Sequence, residues 1–446
     1  VGTDPDRRTR HDRDPSRARA PPGDARPRTV SDERQEGARR LVERAMRESH
    51  GRAVAVLVGQ LRDFDLAEEA VQDAWVDALR TWGRDGPPDN PVAWIVATAR
   101  RRAIDRLRRR QRQDRLATSV GEELLSGPTP ELDWALDDDI ADERLRLIFT
   151  CCHPAIAPES RVALTLRSVA GLTTREIARA FSTSEPTMQQ RIVRTKQRIT
   201  TAGIPYRVPD ADELPERLAS VHSVVYAVFA EGYAATDHPD FVRVDLVDEA
   251  IRLAELVCTL LPDEPESLGL LALLLLHDAR RSSRVDADGS LVLLEDQDRS
   301  IWDHELIDRG IALLERASAL SCPGPFQLQA AIAALHAQAP SVEETDWTQI
   351  AALYRALLPI WSSPSARIGH AVAIGMADGP DAGLAALDRL DGDDSSRLVA
   401  ARGHLLERAG RAREAMAAFE SAAESTRHPL EAERLRRRAH DTRKPH

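Results

Sequence analysis

The sequence predicts an all-α protein, and three observations lead there. Ala and Leu dominate the apolar residues while aromatics make up only 4% of the chain, a mix that favours helices over strands. Apolar positions recur at three- and four-residue intervals in long stretches, the spacing of one helix face. No stretch shows the sustained apolar–polar alternation of a half-buried strand. With 446 residues and 42% hydrophobic content, the chain has length for two to four domains and apolar material for real cores.

The elements follow in order. Residues 1–33 hold five Pro and many Arg and Asp with almost nothing apolar, which predicts a disordered tail. A first helical block spans residues 31–112, broken at 83–91 by a dense set of Gly, Pro, Asp and Asn. Residues 113–139 are polar and acidic and read as a linker. A second helical block runs from 140 to 202 and stops at Gly203-Ile204-Pro205. The remainder is a long Ala/Leu-rich helical region with breaks at Pro262, Pro265, Pro323, Pro325, Pro340, Pro364 and Gly379-Pro380.

Charge divides the chain. The net charge is −11, but residues 1–204 carry 36 Lys+Arg against 32 Asp+Glu, while residues 205–446 carry 25 against 40. A basic N-terminal part and an acidic C-terminal part point to nucleic-acid contact at one end. Only Lys196 and Lys444 are lysines. The longest apolar run, 268–276, is too short to cross a membrane, and the Arg- and Pro-rich start has no apolar block of a signal peptide. The expected location is cytoplasmic. Four cysteines do not make a disulfide framework.

Residues 158–200 divide into three helical pieces. The first, 161–169, is rich in Leu and Val. Gly171-Leu172-Thr173 follows, and Thr173 with Glu176 forms a capping-box pattern for the second piece, 174–181. Ser182, Thr183 and Ser184 turn the chain, and Pro186 suits the first turn of the third helix. On that helix Met188, Ile192, Thr195 and Ile199 share one stripe. Thr187, Gln190, Arg191, Arg194 and Arg198 lie opposite. The apolar stripe packs on the second helix, leaving outward the Arg and Gln side chains that pair with base edges and grip phosphates. A recognition helix has this arrangement. An ordinary amphipathic helix with a solvated basic face has the same periodicity, but the capped helix and short turn before it favour DNA binding.

Two helices precede this module. In 65–79, Ala67, Val71, Trp75 and Ala78 form an apolar stripe, with Asp65, Glu69, Gln72 and Asp73 away from it. An acidic face beside a DNA-binding module suits a protein partner better than DNA. In 92–110, Val92, Val96, Ala99, Ala103 and Leu107 share a stripe, with Trp94, Arg101, Asp105 and Arg108 roughly opposite. This is the most basic segment of the chain. An aromatic beside guanidinium groups suits unpaired bases, which stack on the ring while phosphates pair with Arg; a core role for Trp94 remains the alternative.

Together these residues resemble an extracytoplasmic-function sigma factor. Residues 65–82 resemble the family's core-polymerase-binding helix. The run from Pro91 to Arg109 resembles its −10 element helix, and residues 158–200 resemble its −35-binding helix-turn-helix. The resemblance spans about residues 35–202. It implies two small helical sigma domains, at 34–112 and 140–203, joined by the linker. It implies that Asp65, Glu68, Glu69, Gln72 and Asp73 dock on the β′ clamp helices of the RNA polymerase core. It also implies that the loop at 84–90 with Trp94, Arg100, Arg101, Asp105, Arg108 and Arg109 captures an unpaired −10 base of promoter DNA. Thr187, Gln189, Gln190, Arg191, Arg194 and Arg198 would then read the −35 duplex. Energy spent on unpaired bases favours the melted state, so recognition and melting become one step. No catalytic side chain, metal or cofactor is implied. Relatives mostly carry Asn where Arg101 stands, which bears on −10 preference, and Gly where Pro186 stands.

The C-terminal half, 204–446, resembles the subgroup with a long helical extension ending in tetratricopeptide-like repeats, expected here near 367–440. Small residues through 405–422, a turn at Gly410, and Gly369-His370 and Gly403-His404 spaced 34 residues apart fit such a unit. Residues 247–276 suggest another helix pair hinged at Pro262. Stacked pairs make a concave surface for a peptide or protein ligand. A net charge of −15 allows the extension to cover the basic DNA-binding faces, and a supporting role in polymerase engagement is the opposite possibility.

Other motifs carry less. Cys151-Cys152-His153 lacks metal-ligand spacing and reads as buried structural cysteines, as do the isolated Cys258 and Cys322. His370 and His404 read as packing residues. The acidic run at 286–289 is too short for a calcium loop. Walker A, GxGxxG and GxSxG patterns are absent from the sequence, which argues against an enzyme. The alternative function is a helix-turn-helix transcriptional regulator with a tetratricopeptide-like sensing domain, but that leaves the acidic helix at 65–79 followed by the basic helix at 92–110 unexplained. A tetratricopeptide scaffold with a drifted N-terminal part leaves the polar stripe at 187–198 unexplained.

Overall fold

The computed structural model describes residues 30–113, 137–181, 183–233, 242–286, 291–320, 323–390, 395–426 and 429–442. Most of the expected tail and linker, Ser182, the acidic run at 287–289 and Cys322 lie outside them. Among the described residues the chain is helical, with two 3₁₀ turns and one isolated bridge between Val285 and Leu291. No described helix is long and apolar enough to cross a membrane.

Three helices open the chain: α1 (Val30–Leu61), α2 (Phe64–Asp85) and α3 (Pro91–Gln113). They pack on one another. The corner between α1 and α2, which the hydrophobic pattern does not announce, is made by Arg62 in the left-handed region (φ 54) and by Asp63, whose side chain caps α2. The break expected at 83–91 is shorter, 86–90: α2 runs on through Asp85, and Pro91 is already the first residue of α3. Asn90 then starts α3, its side chain accepting from the Ala93 amide at 3.0 Å.

The second module is α4 (Asp137–Cys151), α5 (Pro158–Ser168), α6 (Thr174–Ala180) and α7 (Glu185–Thr201). The extension follows with α8 (Leu214–Tyr233), α9 (Val244–Leu260), α10 (Pro265–Asp278) and α11 (His304–Leu320). It continues through α12 (Pro325–Gln338), α13 (Trp347–Leu357), α14 (Pro364–Asp378) and α15 (Pro380–Leu387), and closes with α16 (Ser396–Arg408), α17 (Ala412–Ser425) and α18 (Pro429–Thr442). The α9–α10 pair around Pro262 and the α16–α17 hairpin are as the sequence predicts. Gly410 turns the latter with φ +71, where a Cβ would be strained.

The modules are not separate bodies. One apolar cluster runs without a break from Val42 on α1 through Phe149, Leu164, Met188, Phe229 and Leu274 to Ala334 on α12. Two smaller clusters serve α12–α14 and α14–α18. Cys151 and Cys152 are fully buried at the end of α4, as expected, with Cys152 Sγ 3.4 Å from Thr165 Oγ1. Burial raises both thiols above the usual cysteine range.

Two buried histidines make this core acid-sensitive. Burial pushes His50 and His222 down to about 4. Both stay neutral in the fold, while the unfolded chain takes up protons near pH 6.5. Their contribution is full above that pH and is lost as pH falls from about 6.5 towards 4. Thermal unfolding between pH 7.5 and 4.5 should show a flat Tm at the upper end and a fall below 6.5, with a shallower fall in a His222→Gln variant.

Candidate nucleic-acid and protein interfaces

The helix-turn-helix is built as its sequence predicts. Thr173 and Glu176 form a reciprocal capping box: the Glu176 amide donates to Thr173 Oγ1 at 3.2 Å, and the Thr173 amide donates to Glu176 Oε2 at 2.7 Å. Gly171, at φ +78, makes the turn before it. Thr173→Ala should cost about 1 kcal/mol of stability, read by urea unfolding, with Thr173→Ser close to the parent. Ser184 caps α7, accepting from the Thr187 amide at 3.3 Å.

On α7 the predicted apolar stripe of Met188, Ile192, Thr195 and Ile199 is buried. Thr187, Gln189, Gln190, Arg194 and Arg198 are exposed. Arg191 is half-buried and leans on Glu159 of α5 at 3.4 Å. Gln189 accepts from Thr174 Oγ1 at 3.0 Å, which ties the start of α7 to α6. Arg194 and Arg198 lie in solvent on this exposed row.

On α2 the stripe of Ala67, Val71, Trp75 and Ala78 is buried. The acidic residues fare differently from one another. Asp65 and Glu69 are exposed, and Gln72 and Asp73 are half-buried. Arg106 of α3 donates to both Glu69 and Asp73, the latter at 2.7 Å, and Arg102 binds Asp77 at 2.5 Å. So part of the basic segment faces its neighbouring helix instead of solvent. Val76 and Leu79, which sequence reasoning passed over, are 45% and 47% exposed beside this acidic row. Large apolar side chains held in water next to carboxylates suit a protein partner. Their signal was two apolar residues lying off the buried stripe.

On α3, Arg101, Asp105, Arg108 and Arg109 are exposed, while Arg100 and Trp94 are half-buried. The Trp94 ring sits edge-on to Trp82, with centroids 5.5 Å apart, and Trp82 in turn meets Trp75 at 6.0 Å. Trp94 is thus half-buried, with part of its ring packed on Trp82 and part open. Arg101 folds back on Ala97 O and Thr98 Oγ1, each at 3.3 Å. At the end of α2, Arg84 pairs with Asp85 at 2.8 Å, so these two residues of the expected 84–90 loop are helical.

Glu68 departs from the solvent-facing place that docking on a partner requires. It is 4% exposed and sits at a seam between the two modules. Ser168 Oγ donates to it at 2.6 Å, Lys196 Nζ lies 3.1 Å away, and Arg167 Nε lies 3.3 Å away. Lys196 also reaches Asp65 at 2.8 Å. Burial alone would lower the Lys196 ammonium, but Glu68 and Asp65 outweigh it and hold it above the usual lysine range. Along the same seam, Gly51 of α1 lies so close to the Val169 carbonyl that a Cβ there would clash at 2.2 Å. The extension braces the arrangement. The Tyr206 hydroxyl donates to Ala55 O at 2.8 Å and to Glu143 O at 3.2 Å, and Arg217 donates to Phe149 O at 2.6 Å.

Comparison with known families follows this division. Residues 41–113 match Sigma-70 region 2, residues 146–199 match Sigma-70, region 4, and residues 217–318 match a family of unknown function, DUF6596. An uncharacterized protein of Rhizobium meliloti (strain 1021) is 45% identical over 387 residues, covering 85% of this chain and 91% of that protein. The ECF RNA polymerase sigma factor SigK of Mycobacterium sp. (strain KMS) is 27% identical over 146 residues, covering 32% of this chain and 73% of that protein. The SigK protein of Mycobacterium ulcerans (strain Agy99) is 30% identical over 145 residues, covering 32% and 74%. No solved structure matches the chain. With an acidic helix beside a basic one in the first module and a capped helix-turn-helix in the second, the chain belongs to the sigma-70 family of RNA polymerase sigma factors, as an extracytoplasmic-function factor with a C-terminal extension.

Proposed function

We propose that this sigma factor docks on the β′ clamp helices of core RNA polymerase through Asp65, Glu68, Glu69, Gln72 and Asp73, helped by Val76 and Leu79. In the same reading, Trp94, Arg100, Arg101, Asp105, Arg108 and Arg109 receive unpaired −10 bases. Thr187, Gln189, Gln190, Arg191, Arg194 and Arg198 read the −35 duplex, and the factor works in the cytoplasm by binding alone. The observation that carries this is the exposed polar row of α7, backed by a fully buried opposite face, in one chain with the acidic α2.

The extension, in this reading, holds the factor in a closed and inactive form. Support comes from the seam: Glu68 and Asp65 are engaged by Lys196 of the second module, Tyr206 of the extension holds both modules, and Arg217 holds the second. A polymerase that needs these carboxylates must first open the seam.

The test adds the full chain to core RNA polymerase with a promoter library and maps start sites. Specific starts are the expected result. Duplex binding without polymerase, with no specific starts, would identify a helix-turn-helix regulator instead. Tyr206→Phe and Arg217→Ala should raise initiation by the full chain, whereas a fall would show that the extension supports activity.

A further inference from the structure

The extension encloses a cavity of about 350 Å³ between the segment around Leu293–Arg299 and helices α13, α14, α16, α17 and α18. Its apolar walls include Trp347, Tyr354, Val372, Met376, Phe419 and Leu435. The size falls within the range of small-molecule sites and holds roughly a dozen non-hydrogen atoms at about 30 Å³ for each water-sized group.

The charges lining it run against their surroundings. The extension as a whole is acidic, yet the cavity presents Arg299, Arg434 and Arg438 with Glu295 as its one carboxylate. Glu295 is already taken by Arg438 at 3.0 Å, and Arg438 also binds Glu407 at 2.7 Å. Neither Arg434 nor Arg299 has a carboxylate within ion-pair distance among the described residues. Arg299 donates through Nη1 to the carbonyls of His336 and Ala339, while its Nη2 and the His336 Nδ1 are buried without a partner. Burial holds the Arg434 guanidinium below the usual arginine range, helped by Arg438, with Glu431, Glu295 and Asp296 pulling the other way. A half-buried guanidinium with donors left unpaired is costly, and one bound carboxylate would offset that cost. A neighbouring cavity of about 460 Å³ shares Leu294, His336 and Tyr354 and adds Arg280 with no carboxylate.

We propose that this cavity binds a small amphipathic organic anion, an aliphatic or aryl carboxylate, whose apolar body lies on Trp347, Met376 and Phe419 and whose charge meets Arg434 and Arg299. The cavity walls come partly from the residues matching the family of unknown function and partly from helices α13, α14, α16, α17 and α18 beyond them. Occupancy therefore ties the two ends of the extension together.

Calorimetric titration of the full chain with octanoate and with indole-3-acetate tests this, with octanamide and indole-3-acetamide as uncharged controls. At least one carboxylate should bind with a Kd below about 100 μM and raise Tm, with its amide about tenfold weaker or more. Arg434→Gln should weaken the carboxylate about tenfold, the loss of one charge-assisted contact. Met376→Trp, which fills the space, should abolish binding. Failure of both carboxylates to bind below about 1 mM, equal binding of acid and amide, or binding that survives both substitutions overturns the proposal. Polymerase is absent throughout, so the outcome is separate from promoter function.

Discussion

Lys196→Met in the full chain should bind core RNA polymerase up to about 100-fold more tightly than the parent, while its own Tm falls. Lys196 is one of the second-module partners of Glu68, with Ser168 and Arg167; Glu68 is 4% exposed and lies 3.1 Å from the ammonium. Removing one member of a buried ion pair costs about 3–5 kcal/mol because the other charge stays buried. Here Ser168 and Arg167 still compensate Glu68, so the lower figure applies. The second contact, to Asp65, adds little because that carboxylate is largely in water. About 3 kcal/mol in the closed state shifts the closed–open equilibrium by about two orders of magnitude. If only the open form binds, apparent affinity rises by the same factor until opening is complete. Equilibrium binding to core enzyme, alongside thermal unfolding, separates the cases. A lower Tm with unchanged affinity means that the seam is architecture only.

The second large effect is on promoter choice. Arg194→Ala combined with Arg198→Ala should lower specific initiation by about 100-fold or more while leaving polymerase affinity unchanged. Both side chains are exposed on the polar row of α7. Each paired contact to a base edge contributes about 1–3 kcal/mol of discrimination, and each phosphate contact adds salt-dependent affinity. Arg191→Ala should do less, because Glu159 already holds that guanidinium at 3.4 Å. Run-off transcription on one promoter, with a parallel polymerase-binding assay, reads the difference. Loss of polymerase binding in the double variant would move these residues from DNA contact to assembly.

Local features were legible because they repeat at helical spacing. The buried stripe of α7, Met188 through Ile199, and the Thr173–Glu176 box follow from sequence neighbours three and four apart. Gly410 announced the α16–α17 turn because only glycine takes its φ of +71 without strain. What escaped depends on register between distant helices. Lys196 sits one position from the apolar stripe, and nothing local says that it will be buried against a helix 128 residues earlier. Arg106 belongs to a basic run that reads as a DNA face, yet the packing of α3 on α2 turns it towards Glu69 and Asp73. The 34-residue spacing of Gly369 and Gly403 also means less than its regularity suggests. Gly369 makes room for Tyr354 on the preceding helix, whereas Gly403 makes room for Phe419 on the following one. The repeat position of His404 predicts a packing residue, but it faces Glu295 at 3.5 Å on the cavity wall.

The paired cysteines at the end of α4 make opening of the factor chemically countable. Cys151 is fully buried at the end of α4, and its neighbour Cys152 turns inward to Thr165. Separation of the modules should admit an alkylating reagent to Cys151 before Cys152, whose labelling would then track unfolding of the module itself; equal rates would show that the two thiols open together. The ratio of the two labelling rates reports how often the molecule parts, with no dye or tag added.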